Sequence, residues 1–450
     1  MNDKFTRIGF ILAVAGSAVG LGNAWKFPTL VGQNGGSAFI LLYLLLTFLV
    51  SFVIFIGEIT IGRLGESDPV DSYRRLAPSN KELWSKAGFL MITALLIYSF
   101  YSVVMGWILK YTATSIFSLP QNLDDSGAMF NALISNSPLV AIICFTIMSL
   151  VCFLIVSKGI KNGIERLNIW MMPSLFILLV LMVLYSASFD GFAQSAKFLL
   201  LPDFSALNSQ SVLDALGLAF FTLSLGVTTI LTYAASLPDR TNILTSSINI
   251  VLINVMIGVM MGLVVFTFIF EFNGDPAQSG PGLIFVSLAV LFSKLGFIGH
   301  ILAFAFFLTL LFAAITSAIS MIEPAVYYLV KSRAFSRAKA CVAVFVFTYV
   351  LGIACILGYY GATSEYFVIA GQPFFDALDY LTSKILMPLG GLIIVIFVGY
   401  VIKKDGVYAL LSPYMGDFGF KIWYFVLLRV VSPLAIFVIA LRELGIVNFG

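Results

Sequence analysis

Gly16-Ser17-Ala18-Val19-Gly20-Leu21-Gly22-Asn23-Ala24-Trp25-Lys26-Phe27-Pro28 lies within a hydrophobic segment long enough to cross a bilayer. Three glycines, an asparagine, a lysine and a proline in thirteen residues weaken a helix there. In hydrocarbon, each freed N–H or C=O needs a new partner, so broken backbone is tolerated where it is buried in protein or lines a cavity. The stretch is therefore a candidate binding site. Gly16 and Gly20 also form a G-x-x-x-G pair, whose commoner meaning in a membrane helix is close packing, and both readings stand at this point.

Sixty per cent of the 450 residues are hydrophobic and ten per cent are charged, the composition of an all-α polytopic membrane protein. Uncharged runs at 27–57, 87–109, 126–157, 167–189, 215–238, 241–270, 295–322 and 340–364 each exceed the ~20 residues that span ~30 Å of hydrocarbon. Adding the broken first segment, a span near 380–402 and a last one near 420–441 predicts eleven spans in one domain, 1–450. Arg74, Arg75, Lys158, Lys161, Arg333, Arg337, Lys339, Lys403 and Lys404 fall on one face, whereas the 115–137 connection carries Asp124 and Asp125 but no cation. Positive residues are retained inside, so the N-terminus is expected in the cytoplasm and the C-terminus outside. A cleaved signal peptide is rejected, because cleavage near Ala13-Val14-Ala15 would remove half of a long hydrophobic segment. The basic residues belong to inner loops, which argues against a nucleic-acid partner. Cys144, Cys152, Cys341 and Cys355 lie in spans without metal-like spacing and read as small buried hydrophobes.

A second weakened helix follows five spans after the first. Phe220-Phe221-Thr222-Leu223-Ser224-Leu225-Gly226-Val227-Thr228-Thr229 sits in the sixth span, about 212–238, which suggests two five-span halves with a weak point at the start of each. Asn249 and Asn254 lie in the seventh span and Thr316-Ser317-Ala318-Ile319-Ser320 in the eighth. Gly274, Pro276, Gly280, Pro281 and Gly282 precede an amphipathic stretch, which reads as a structured outer loop or lid. Glu58 sits near the inner end of the second span, and the sequence leaves open whether it is paired, protonated or snorkelling.

Neutral oxygens dominate these clusters, which is ligand chemistry for a hard cation; zinc or copper call for Cys or His, and His300 is the only histidine. A half-helix starting near Leu21 and Gly22 directs free N–H groups at an anion. One broken helix can thus hold a carboxylate beside a cation, the pairing that an amino acid requires. No histidine is available as a general base, so an enzyme is not expected. A channel or a receptor-like binding protein is the alternative to coupled transport.

Ala18 to Asn23, Trp25-Lys26-Phe27-Pro28, Asn34-Gly35-Gly36, Phe221 to Gly226 and Thr316-Ser317 together resemble the signature of neurotransmitter:sodium symporters, in the eleven-span bacterial branch that transports amino acids. The resemblance implies a 5+5 inverted repeat over 1–188 and 212–402 with helices 1 and 6 broken, plus a last helix at 417–441. It implies an integral protein of the cytoplasmic (inner) membrane that binds two sodium ions. One sodium is expected at Ala18, Asn23, Thr222 and Asn254, and the second at Gly16, Val19, Ala313, Thr316 and Ser317. The substrate carboxylate would rest on the Leu21 and Gly22 amides and the Tyr101 hydroxyl under a Phe221 lid. The amine would meet carbonyls around Ala18, Phe221, Thr222 and Ser224, and Ile97, Val227, Ile230, Ser317 and Met321 would line the side-chain pocket.

Gly20 stands where amine transporters of the family carry an aspartate, which fits a substrate bringing its own carboxylate. An uncharged pocket favours a neutral amino acid, and Val227 leaves room for an aromatic or large aliphatic one. Three positions depart from the family. Lys26 faces Asp379 where an arginine is usual, which exchanges a fork for a point charge. Met1 and Lys331 replace the usual inner pair, so another pairing must close that face. Gly258 stands where chloride-independent relatives are acidic, which leaves chloride or proton dependence open.

Overall fold

The computed structural model describes residues 4–136, 138–239, 241–277 and 282–443. Apolar composition without turn signals makes long helices, and nine of those described are long and apolar enough to cross a membrane. They are α3 (Ser37–Gly65), α4 (Lys81–Phe117), α5 (Pro138–Ser157), α6 (Ile160–Ser186), α9 (Ile243–Glu271), α10 (Phe297–Arg333), α11 (Arg337–Tyr359), α12 (Phe374–Val401) and α13 (Lys404–Leu441). A tenth is a bent pair, α1 (Arg7–Ala18) and α2 (Gly22–Gln33), which meet at 53°. Thr6 caps α1 by accepting the Gly9 N–H, and Pro28 sits where α2 turns regular after a π-helical start.

The second weak stretch is also interrupted. Helix α7 (Ser209–Thr222) ends before a turn and α8 (Thr229–Ala235) resumes after it. Ser224, Gly226 and Thr228 all have positive φ between them, so the chain cannot continue as an α-helix. A Cβ on Gly226 would lie 2.4 Å from the Met387 carbonyl oxygen, and one on Gly390 would lie 2.0 Å from the Gly226 oxygen. The turn therefore packs backbone to backbone on α12. Helix α1 packs between α6, α9 and α10, and α10 packs along α4, which puts both interruptions in the interior.

One expected boundary moves and others are refined. The uncharged run 126–157 is not one span: Leu123–Asn131 is a short helix, a π-turn covers Ala132–Asn136, and the crossing helix starts at Pro138. Lack of charge does not distinguish an apolar loop from a span. Helix α13 begins at Lys404 but is broken at Gly416, φ 67°, so its last segment starts at Asp417, close to the start expected near 420. Leu283–Ser293 is a helix buried on one face, and the Ser126 hydroxyl donates to the Val286 carbonyl 2.9 Å away. Gly280 and Pro281 of the expected lid lie outside the described residues.

Candidate binding site

The first interruption redistributes its backbone bonds onto side chains of other helices. Leu21 N–H donates to the Tyr101 hydroxyl at 3.1 Å. The Ser17 carbonyl accepts from the Ser224 hydroxyl at 2.9 Å and from the Ser317 hydroxyl at 3.2 Å. Ser17 and Ser320 hydroxyls meet at 2.7 Å. Three helices thus converge on one broken turn, as the rule for freed backbone in hydrocarbon requires.

A small cavity of about 20 Å³ lies against this turn, with room for roughly one water molecule. Its walls include Ala18, Gly20, Leu21, Gly22, Ile97, Tyr101, Phe221, Ser224, Val227, Ser317 and Met321, all expected from the sequence. Thr222 and Ile230 are not among the walls: both are buried, and the Thr222 hydroxyl bonds the Tyr43 hydroxyl at 3.0 Å. The glycines are spaces already in use. A Cβ on Gly20 would lie 2.8 Å from the Tyr101 oxygen and 3.0 Å from Ser317 Oγ, and one on Gly22 would lie 2.8 Å from the Phe221 ring.

Beside the cavity, oxygens gather. The amide position of Asn254 that faces inward is 3.3 Å from the Ala18 carbonyl oxygen, 3.2 Å from that of Thr222 and 3.2 Å from Asn23 Oδ1. Asn23 Nδ2 donates to Asn254 at 2.8 and 2.9 Å. An oxygen at that inward position accepts from Asn23 Nδ2 and otherwise faces the three other oxygens with no proton between them, whereas an amide nitrogen there donates to them. With the oxygen inward the cluster calls for a positive centre; with the nitrogen inward the amide itself satisfies it. Asn249, on the same helix, is exposed instead. In the second expected set, the Thr316 hydroxyl donates to the Phe312 and Ala313 carbonyls at 3.0 Å, and a Cβ on Gly16 would lie 3.0 Å from Thr316 Cβ. Val19 and Ala313 share a smaller cavity with Asn23. A Cβ on Gly258 would lie 3.6 Å from Asn23 Nδ2, so that position neighbours the oxygen cluster.

Toward one end of the bundle, Lys26 Nζ lies 3.3 Å from Asp379 Oδ1 and 3.7 Å from the centre of the Phe221 ring. A second small cavity, bounded by Trp25, Phe100, Phe375 and this pair, is separated from the first by Tyr101 and Phe221. At the opposite end Phe5 is buried edge-on to Phe10 and Tyr233, and its N–H donates to the Ser236 carbonyl. Asp239 takes Lys4 at 3.0 Å and Arg63 at 2.9 Å, and these two cations hold its carboxyl below the usual aspartate range. Met1 lies outside the described residues and Lys331 is exposed; the neighbouring Ser332 hydroxyl donates to Asp68 at 2.6 Å.

Sequence reading missed Met387, which also lines the cavity, and Tyr43, whose hydroxyl touches Thr222 and Asn254. Neither carries a signal beyond its place in an apolar run. It flagged Glu58 without deciding its state: the side chain is fully buried and accepts the Gly226 N–H at 3.2 Å and the Leu231 N–H at 3.5 Å, across the second interruption.

The family model for sodium:neurotransmitter symporters matches residues 3–132 and 132–449. The chain belongs to the sodium:neurotransmitter symporter family. This symporter is 38% identical to an uncharacterized sodium-dependent transporter, YhdH, of Bacillus subtilis over 99% of this chain and 98% of that one. It is 33% identical to another from Haemophilus influenzae over 98% and 97%. Among solved structures it is similar to MhsT in complex with L-phenylalanine, with a TM-score of 0.87 and 35% identity over 97% and 98% of the two chains. The symporter is accordingly a multi-pass membrane protein of a sodium-dependent transporter family.

Proposed function

We propose that this symporter imports a neutral, hydrophobic or aromatic amino acid together with sodium by alternating access. The observation that carries this is the meeting, at one broken turn, of the Ala18, Thr222, Asn23 and Asn254 oxygens with the Leu21 amide and the Tyr101 hydroxyl. A sodium ion fits the first group and a carboxylate the second. The MhsT complex supports an aromatic substrate, and the uncharged walls support a neutral one. In this reading α7 and α8 form the sixth span, which brings the count to eleven, 1–188 and 212–402 are inverted repeats, and 417–441 is an added helix. The N-terminus faces the cytoplasm and the C-terminus faces outside.

Each residue then has a task. Ala18, Asn23, Thr222 and Asn254 hold one sodium against the substrate carboxylate, and Gly16, Val19, Ala313, Thr316 and Ser317 hold a second. Leu21, Gly22 and Tyr101 bind the carboxylate, while carbonyls near Ala18, Phe221, Thr222 and Ser224 take the amine. Ile97, Val227, Ile230, Ser317 and Met321 shape the pocket. Lys26, Asp379 and Phe221 close the outer path; Phe5 and the Lys4–Asp239–Arg63 group close the inner one. The small volume means that Phe221 and neighbouring side chains move to admit a substrate.

The driving force suffices. One sodium crossing ~100 mV gains about 2.3 kcal/mol, and a roughly tenfold gradient adds about 1.4 kcal/mol. Together, about 3.7 kcal/mol supports a several-hundredfold accumulation of a zwitterion. The test is uptake of labelled amino acids into proteoliposomes with inward sodium, potassium or choline gradients. Sodium-dependent accumulation of phenylalanine-like substrates is expected; uptake indifferent to sodium overturns the reading, and currents far above any turnover number indicate a channel.

A further inference from the structure

A groove of about 700 Å³ opens between the ends of α5 and α6, on the face assigned above to the cytoplasm. Ile155, Leu167 and Trp170 form its apolar side, and Lys158, Asn162 and Arg166 its polar side. Lys161 stands exposed on the same turn. Among the described residues, none of these three cations forms an ion pair with a carboxylate. Trp170 is 62% exposed, with its ring seated on Phe312 at 5.6 Å, the placement of an indole at a membrane–water boundary. The groove exists because α6 starts with a π-turn at Ile160–Glu165 and because Gly163 approaches α5 so closely that a Cβ would lie 2.1 Å from the Ile155 oxygen.

We infer that this groove binds an anionic phospholipid of the cytoplasmic leaflet, with its phosphate between Lys158 and Arg166 and its acyl chains along Ile155, Leu167 and Trp170. Unpaired cations above an apolar wall are complementary to a molecule with a negative head and two hydrocarbon tails, and bilayer lipid is the medium that surrounds this wall. A zwitterionic lipid brings its own cation and lacks that match. The site adjoins the inner closure: Glu165, buried on the other side of the same turn, accepts both the N–H and the hydroxyl of Thr6 at the start of α1. Bound lipid therefore braces the turn that holds α1.

The inference rests on the proposed orientation for the leaflet it names, but lipid retention by the purified chain does not depend on orientation or transport. The full chain is equilibrated with phosphatidylcholine vesicles with and without phosphatidylglycerol, extracted in mild detergent and weighed intact. Phosphatidylglycerol is expected to stay bound in preference to phosphatidylcholine and to raise the unfolding midpoint. Lys158→Gln or Arg166→Gln is expected to weaken retention roughly fivefold each, and the double variant roughly twenty-five-fold. Lys403→Gln/Lys404→Gln, elsewhere on the same face, is expected to retain it. Equal retention of phosphatidylcholine, an unaffected double variant with a normal midpoint in phosphatidylcholine alone, or equal stabilisation by inorganic phosphate overturns the assignment. Sodium-driven uptake in pure phosphatidylcholine is measured in parallel, so loss of lipid selectivity and loss of the transport reading give different results.

Discussion

At the first interruption, neutral hydroxyls meet the freed backbone: Tyr101 takes an N–H, Ser224 and Ser317 share one carbonyl, and the Ala18 carbonyl is left facing Asn254, joined there by the Thr222 carbonyl from the end of α7. At the second, one buried carboxylate takes two N–H groups, one of them from Gly226, which also packs directly on α12 backbone. Hydroxyls can release a backbone group to a ligand at little cost, because each both donates and accepts. A carboxylate whose two oxygens are committed to N–H groups in a dry interior cannot let go without leaving all of them unsatisfied. The first break is thus built to exchange partners, and the second to keep its shape while its neighbours exchange.

Glu58→Ala gives the sharpest test of that contrast. It strands two buried N–H groups, at about 1–3 kcal/mol each, so a fall of the unfolding midpoint and loss of uptake are expected together. Glu58→Gln keeps one good acceptor and is expected to recover part of both. A glutamine variant as poor as alanine means that charge, rather than bond geometry, is what holds the turn, and the contrast fails.

At the first break, the same logic predicts a defect of binding without a defect of folding. Asn254→Ala removes an oxygen from the cluster; at about 1.5–3 kcal/mol for a contact to a charge, the sodium concentration giving half-maximal uptake rises roughly ten- to hundredfold. Exposed Asn249→Ala, on the same helix, is expected to change nothing. Equal effects from the two variants would remove Asn254 from the sodium site. Gly20→Asp is expected to abolish amino-acid binding in a thermal-shift assay, through repulsion of the carboxylate and through contact with Tyr101. Gly20→Ala carries only the contact, which Tyr101 and Ser317 can relieve by a few tenths of an ångström, so it separates the two causes.

The breaks themselves were legible because Gly, Pro, Asn and clustered hydroxyls are conspicuous in apolar sequence. The Lys26–Asp379 pair was legible through the family resemblance; the scarcity of charge in spans said only that an aspartate there needs a cation from another span. Met387, Tyr43 and the Gly226–Gly390 contact were not legible. In a membrane the lipid-facing and buried sides of a helix are equally apolar, so periodicity does not say which residues meet. The inner closure escaped for another reason. Asp239 and Arg63 are ordinary loop charges by sequence, and only the fold brings Lys4 beside them.

The two closures differ in kind as the two breaks do, and here the expected effects are smallest. Lys26 and Asp379 are partly exposed, and pairs of that sort contribute about 0–1 kcal/mol. Lys26→Gln should therefore change substrate affinity by no more than about fivefold, with Lys26→Arg close to the parent because it keeps both the ion pair and the ring contact. Asp239, on the inner side, titrates below the ordinary aspartate range because Lys4 and Arg63 favour its charged form. Its contribution is fully present above the unfolded aspartate value and is lost as pH falls through the lower folded value. The difference in unfolding midpoint between the parent and Asp239→Asn is therefore expected to stay constant from about pH 5 to 7 and to shrink only below about pH 4. A difference that already narrows near pH 6 means that another group titrates the inner closure, and that Lys4 and Arg63 are bystanders to it.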